Sequence, residues 1–224
     1  MKTSFSVLVS TGLVFILFLS PGYAENLGIY VGAGIGATEI ENDVVPLKQV
    51  LEDRVRFDER QVGYKLFTGY QFNDYISLEA ILADFGELEI TGNSGNQMTS
   101  GGKLWTFTQN GTEITAHIRT VALGVKFTLP FSTFTKRKYL SRISPFFIAG
   151  GHFWDLDMDS SPMNGTDQSS SIADDNGLDF FYGAGLQYQI TPAVGIRLEY
   201  SFFNYQKIIL EDTDFISASI SYSF

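Results

Sequence analysis

The chain has 224 residues, 25 of them acidic and 15 basic, for a formal net charge of −10. That balance excludes nucleic acid as a partner, because phosphate binding needs a basic footprint. Cysteine is absent, which removes disulfides and thiolate chemistry, and 20 Phe, 11 Tyr and 22 Gly against 6 Pro favour strands over helices.

Residues 1–24 read as a secretory signal peptide. Lys2 supplies a basic start, residues 7–19 are mostly apolar, and Pro21-Gly22-Tyr23-Ala24 offers a small-residue cleavage site. Ser10, Thr11 and Ser20 leave the apolar run short of the roughly 20 residues a spanning helix needs. Residues 25–224 then remain as one domain.

Alternation with period two begins at once and marks strands with two unlike faces. In residues 27–37, Leu27, Ile29, Val31, Ala33, Ile35 and Ala37 face one way; Gly28, Tyr30, Gly32, Gly34 and Gly36 face the other. Residues 62–72 set Val62, Tyr64, Leu66, Thr68, Tyr70 and Phe72 against Gly63, Lys65, Phe67, Gly69 and Gln71. Asn73-Asp74 signals a tight turn. A third strand then sets Ile76, Leu78, Ala80 and Leu82 against Ser77, Glu79, Ile81 and Ala83. Residues 103–109, Asn110-Gly111 and residues 112–118 read as a β-hairpin standing above the sheet inside a long loop.

The fourth strand places Val121, Leu123, Val125, Phe127 and Leu129 opposite Ala122, Gly124, Lys126 and Thr128. A fifth, around 145–155, is apolar on both parities and leaves its facing open. The sixth sets Phe180, Tyr182, Ala184, Leu186, Tyr188 and Ile190 against Gly183, Gly185, Gln187 and Gln189. After Thr191-Pro192-Ala193, the seventh sets Val194, Ile196, Leu198, Tyr200 and Phe202 against Gly195, Arg197, Glu199 and Ser201. The last strand carries Ile216, Ala218, Ile220, Tyr222 and Phe224 on one face and Ser217, Ser219, Ser221 and Ser223 on the other.

Each run has about the 9–11 residues a tilted strand needs to cross a bilayer. Short turns follow strands two and six. Long loops are expected at about 38–61, 87–112, 156–178 and 204–212, and a basic connection, with Lys136, Arg137 and Lys138, at 130–141. That asymmetry matches the two ends of an outer-membrane barrel. A soluble barrel with its greasy face inward shares the alternation, but its exterior needs many charges. Here the second face is mostly Gly, Ser, Ala and Gln with isolated Lys65, Glu79, Lys126, Arg197 and Glu199, which suits a narrow interior where bulky groups would not fit. The expected fold is all-β: an eight-stranded antiparallel up-and-down transmembrane β-barrel. Ile220, Tyr222 and Phe224 look like the closing-strand signal read by the bacterial outer-membrane insertion machinery.

The segment Gly183-Ala-Gly-Leu-Gln-Tyr-Gln-Ile-Thr-Pro192 followed by Arg197-Leu-Glu-Tyr200 resembles the sixth and seventh strands of the OmpA-like transmembrane domain family. Gly69-Tyr-Gln-Phe-Asn-Asp-Tyr75, Leu78-Glu79 and the Gly150-Gly151 region of the fifth strand are similar to its other strands. The resemblance covers most of the barrel and none of the long loops. It implies termini in the periplasm and an interior plugged by a charge network at Lys65, Glu79, Lys126, Gln187, Arg197 and Glu199. Glu79 is expected to pair with Arg197 or Lys126, and Gln187 stands where the family often carries a carboxylate. With no peptidoglycan-binding segment following the barrel, cell-wall tethering by this chain is not expected.

Catalysis is not expected. The only histidines are His117 and His152, and His152, in Gly150-Gly-His-Phe-Trp154, lacks the serine two residues on that a lipid A-modifying barrel enzyme would carry. Asp155-x-Asp157-x-Asp159 begins like a calcium loop, but Ser160 replaces the required glycine and Thr166 the bidentate glutamate. A solvated acidic loop is the better reading, so neither cofactor nor metal is expected. Residues 46–57, with Leu47, Val50, Leu51 and Val55 on one face, allow a short amphipathic helix that packs over the barrel mouth or forms a contact surface.

The expected protein is therefore an integral outer-membrane barrel of a Gram-negative cell, monomeric, with a structural or surface-interaction role. Its partners are membrane lipid and lipopolysaccharide, the insertion machinery and an extracellular ligand or host surface. The alternatives are a narrow pore of low conductance gated by the charge network and, less favoured, a lipid A-modifying enzyme.

Overall fold

A computed structural model describes residues 28–42, 45–46, 56–58, 60–100, 103–106, 111–137, 139–162, 170–205 and 210–224. In chain order its strands are β1 (Ile29–Asn42), β2 (Val45–Pro46), β3 (Arg56–Asp58), β4 (Arg60–Gln71), β5 (Ile76–Gly92), β6 (Gln97–Ser100), β7 (Lys103–Thr106) and β8 (Thr112–Thr128). They continue with β9 (Ile143–Pro162), β10 (Ser170–Gln189), β11 (Val194–Asn204) and β12 (Leu210–Ser223). Eight of them, β1, β4, β5, β8, β9, β10, β11 and β12, close into an antiparallel barrel: β1 pairs with β12 and β4, and the ring is completed by β5 against β8. β3 extends the wall beside the far half of β5, and β2, β6 and β7 form a separate three-stranded sheet. Closure leaves no barrel edge with unpaired N–H and C=O groups, the condition for crossing lipid.

The two faces sort as period two demands. Lys65, Phe67, Ser77, Glu79, Ile81, Lys126, Arg197, Glu199, Ser217 and Ser219 are buried inside. Ile35, Leu66, Leu78, Leu123, Leu186, Leu198 and Ile220 stand exposed on the outer wall. An exposed apolar band this continuous has no place on a soluble monomer. Below it, Tyr70, Phe72 and Tyr222 face outward near the turn end; above it, Tyr64, Phe153, Phe180 and Tyr200 do the same. These are the aromatic girdles of a membrane-spanning wall. Leu198 lies in the middle of the band and is 63% exposed. Leu198→Arg is expected to lower folding stability in lipid by about 2–4 kcal/mol, against near-neutral Leu198→Ile, measured by urea titration in vesicles.

The strands run far past the membrane. β9 and β10 have 20 residues each and β5 and β8 have 17, about twice what a crossing requires. Three expectations change as a result. The loop placed at 156–178 is, in its described residues, barrel wall, and the one placed at 87–112 begins with barrel wall to Gly92 before giving way to the separate sheet. Residues 112–118 do not pair with 103–109 in a hairpin: Thr112 to Ile118 belong to β8 and lie between β5 and β9, while Lys103–Thr106 pairs with Gln97–Ser100. Ile114, Ala116 and Ile118 point inward and are buried, which explains both the alternation and its misassignment. Above the membrane the outer face turns polar, so the apolar half of the signal survives only on the inner face. Finally, Pro46 and Phe57, the ends of the expected amphipathic helix, lie in β2 and β3, and residues 47–55 fall outside the described residues. So do the expected signal peptide and the segments 163–169 and 206–209.

The fifth expected strand acquires a facing. Phe146, Ile148, His152, Trp154 and Leu156 are buried inside, while Phe147 and Phe153 face lipid. A bulge between Asp84 and Glu87 resets the register of β5. Gly86 makes it possible with φ +85°, a backbone state disfavoured for side-chain-bearing residues. Its N–H donates to Asp84 Oδ1 at 3.0 Å.

Candidate functional site

Ionised groups survive inside a narrow barrel only when they meet one another. Arg197 on β11 is at the centre. Its Nη1 and Nη2 donate to Glu79 Oε2 and Oε1, both at 2.9 Å, in a bidentate pair across the lumen. On its own strand it also pairs with Glu199, which is on the same face two residues on. Phe67 and Phe146 sandwich the guanidinium at 4.7 and 4.5 Å to the ring centroids, adding cation–π attraction. Glu79 further accepts from the Tyr30 hydroxyl at 2.8 Å and lies 3.4 Å from Lys126 Nζ. Glu199 accepts from the Ser201 hydroxyl and lies 3.0 Å from Lys65 Nζ. The structure thus brings together five of the six charge-network positions. Gln187 stays apart: it is cross-strand from Arg197, but its amide donates to Gln189 Oε1 at 3.3 Å.

A second layer lies on the extracellular side of the charges. Phe85, Phe181, Phe203, Phe215, Trp154 and Tyr205 fill the lumen around His152. Phe181 stacks on Phe203 at 5.3 Å. The His152 Nε2–H donates to the Asn204 carbonyl at 2.9 Å, so in the neutral ring Nδ1 accepts from the Thr120 hydroxyl at 2.8 Å. Trp154 Nε1 donates to Asp179 Oδ2 at 2.8 Å.

The expectation that bulky groups would not fit inside is therefore wrong. Inward rings are accommodated by glycines directly across the ladder: Phe67 faces Gly32, Tyr30 faces Gly69, Phe146 faces Gly185 and Trp154 faces Gly177. A Cβ on Gly32 would come within 2.2 Å of the Phe67 ring, and one on Gly69 within 2.3 Å of Tyr30. Sequence reasoning missed this layer. Its signal was a ring embedded in a small-residue parity, as with Tyr30 between Gly28 and Gly32, but naming the partner glycine requires the register.

On the periplasmic side of the charges the lumen opens into a vestibule of about 380 Å³, lined by Tyr30, Ser77, Lys126, Gln187, Arg197 and Ser221 among others. On the outer wall, a collar marks the upper limit of the apolar band. Asp84 meets His117 Nε2 at 2.9 Å and Arg119 Nε at 3.9 Å, and Arg119 donates to His117 Nδ1 at 3.1 Å. Both ring nitrogens of His117 are thereby occupied, by a carboxylate and a guanidinium, while His152 is packed among rings. Asp155 and Asp157 sit in extended β9, on one face, rather than in a curled cation-binding loop. Ile220 and Tyr222 face outward, and Phe224 packs its ring 5.0 Å from Tyr222 while its N–H donates to the Ile29 carbonyl at 3.0 Å.

A closed eight-stranded wall with a lipid-facing apolar band and a charged, ring-filled lumen defines an integral outer-membrane β-barrel. The sequence matches the OmpA-like transmembrane domain family over residues 24–224, and the chain belongs to that family. It is 27% identical over 146 residues to outer membrane protein A of Salmonella typhi, covering 65% of this chain and 34% of that protein. The chain thus spans about a third of that relative's length. Among solved structures, Neisserial surface protein A aligns over 88% of this chain and 97% of its own, at 13% identity and a TM-score of 0.52. OprG of Pseudomonas aeruginosa aligns over 88% and 96%, at 13% identity and a TM-score of 0.49. The likeness to Neisserial surface protein A is one of fold; membership of the family gives the outer-membrane location.

Proposed function

We propose that this barrel is a non-catalytic structural and surface-contacting protein, plugged along its axis, whose partners meet it at the extracellular end. The observation that carries the reading is the Arg197–Glu79–Glu199 cluster, in which all three side chains are at most 1% exposed. Water-filled pores keep their charged rings solvated; here the charges face one another and a ring-filled layer stands above them. The wall beyond the membrane, bearing Glu87, Glu89, Asp155 and Asp157 on its outer face, supports contact with lipopolysaccharide and with an external ligand or host surface. Planar-bilayer recording tests the plug. The expected result is silence; regular conductance steps from the wild-type chain would favour the gated-pore alternative. Unchanged lipid A mass spectra on overexpression are expected of a protein without lipid A-modifying activity.

Ile220, Tyr222 and Phe224 form the proposed insertion signal, because they present an outward apolar row on the strand that seals the barrel against β1. Phe224→Ala is expected to reduce the heat-modifiable folded species in outer-membrane fractions several-fold while total synthesis stays constant. Equal folded yield would remove this role.

A further inference from the structure

We propose that the periplasmic vestibule is a binding site for a small oxyanion drawn from solution, held by Lys126 with Arg197 behind it. Three cations, Lys65, Lys126 and Arg197, are buried in the lower lumen against two carboxylates, Glu79 and Glu199, among the described residues. One positive charge is therefore without a fixed counter-charge in a setting where that is costly. The cation a solute can reach is Lys126, because Lys65 is shut in beside Glu199 at 3.0 Å and does not line the vestibule. Glu79 already accepts from Arg197 twice and from Tyr30, all at 2.8–2.9 Å, whereas Lys126 Nζ stands off at 3.4 Å. An ammonium has three donors to place, and Lys126 lines the vestibule together with Arg197.

The rest of the lining suits an oxyanion. Ser77 and Ser221 supply hydroxyls, Gln187 and Gln189 supply amides, and Asp74, exposed in the turn at the mouth, is the only carboxylate among the described lining residues. The approach is basic: Lys136, Arg137 and Arg142 are exposed on the neighbouring connection. Such a funnel raises the local anion concentration. Gln187 is also the position cross-strand from Arg197 where an acid would neutralise the lumen from within; the vestibule then stands open to a mobile counter-ion in its place.

The test uses the full barrel refolded in detergent micelles, titrated with sodium phosphate and, separately, with sodium chloride at matched ionic strength, and followed by amide chemical shifts. Saturable shifts at Ser77, Lys126 and Ser221 are expected with phosphate and not with chloride. Lys126→Gln and Gln187→Glu are each expected to weaken phosphate at least tenfold, the first by removing the surplus cation and the second by supplying the missing carboxylate. Gln187→Glu retains every cation, so it decides the matter alone should Lys126→Gln not fold. Equal responses to phosphate and chloride, shifts that never saturate, or an unchanged affinity in Gln187→Glu would each overturn the proposal.

Discussion

Arg197→Ala is expected to destabilise the barrel by about 3–5 kcal/mol, the range for removing one partner of a buried ion pair. The side chain is 1% exposed and engages Glu79 and Glu199 together, so its loss leaves two carboxylates facing each other, with only Lys65 and Lys126 to compensate. The measurement is urea unfolding in lipid vesicles, with Arg197→Lys as reference: a lysine keeps the charge and loses the bidentate geometry, so it is expected to fall in between. The same variant probes the proposed plug. The charged layer and the aromatic layer lie in series, and opening the lower one leaves the upper one in place. Arg197→Ala alone is therefore expected to remain close to silent in bilayers, and Arg197→Ala combined with Phe203→Ala to conduct. Frank conductance from the single variant would show that the rings do not seal.

Trp154→Ala is the second large effect, about 3–5 kcal/mol for emptying a fully buried aromatic site. Trp154 has 0% exposure, lies edge-on to Tyr205 at 5.7 Å between centroids and bonds Asp179 through its indole N–H. Gly177 sits beneath the ring and has no side chain to fall into the space left. Trp154→Phe separates packing from hydrogen bonding: it keeps most of the volume and loses one bond to a carboxylate, a loss of about 1.5–3 kcal/mol. Equal stability of the Ala and Phe variants would mean that packing against Gly177 contributes little. Because Trp154 lies well above the charge cluster, the two effects are expected to add in an Arg197→Ala, Trp154→Ala double variant, as distant sites without shared partners do.

The alternation of bulky and small residues determined most of the membrane-spanning wall. Strand number, which face meets lipid and the five inward charges could all be read because lipid tolerates almost nothing but apolar groups on its side. Where lipid ends, that contrast ends too. The segment from Thr112 to Ile118 therefore looked like a free hairpin and proved to be barrel wall, with Ile114, Ala116 and Ile118 buried within. Facing in the 143–162 strand was equally unreadable, because Phe146 and Phe147 are alike in sequence and differ only in which side of a closed sheet they meet.

Tertiary structure alone decided what fills the lumen. Nothing local says that Phe67 belongs to Gly32 or Trp154 to Gly177; the register of antiparallel ladders pairs them, and at these positions the missing Cβ of the opposite glycine leaves the room the ring occupies. Pairing of charges is likewise long-range, since Glu79 and Arg197 are 118 residues apart and share two hydrogen bonds. Sequence by itself determined a greasy outside and a sparsely charged inside, because each residue's partition between lipid and lumen is its own property. Only closure of the barrel decided that Arg197 is saturated while Lys126 is left lining the periplasmic vestibule, because that depends on which groups arrive at the same few ångströms of lumen.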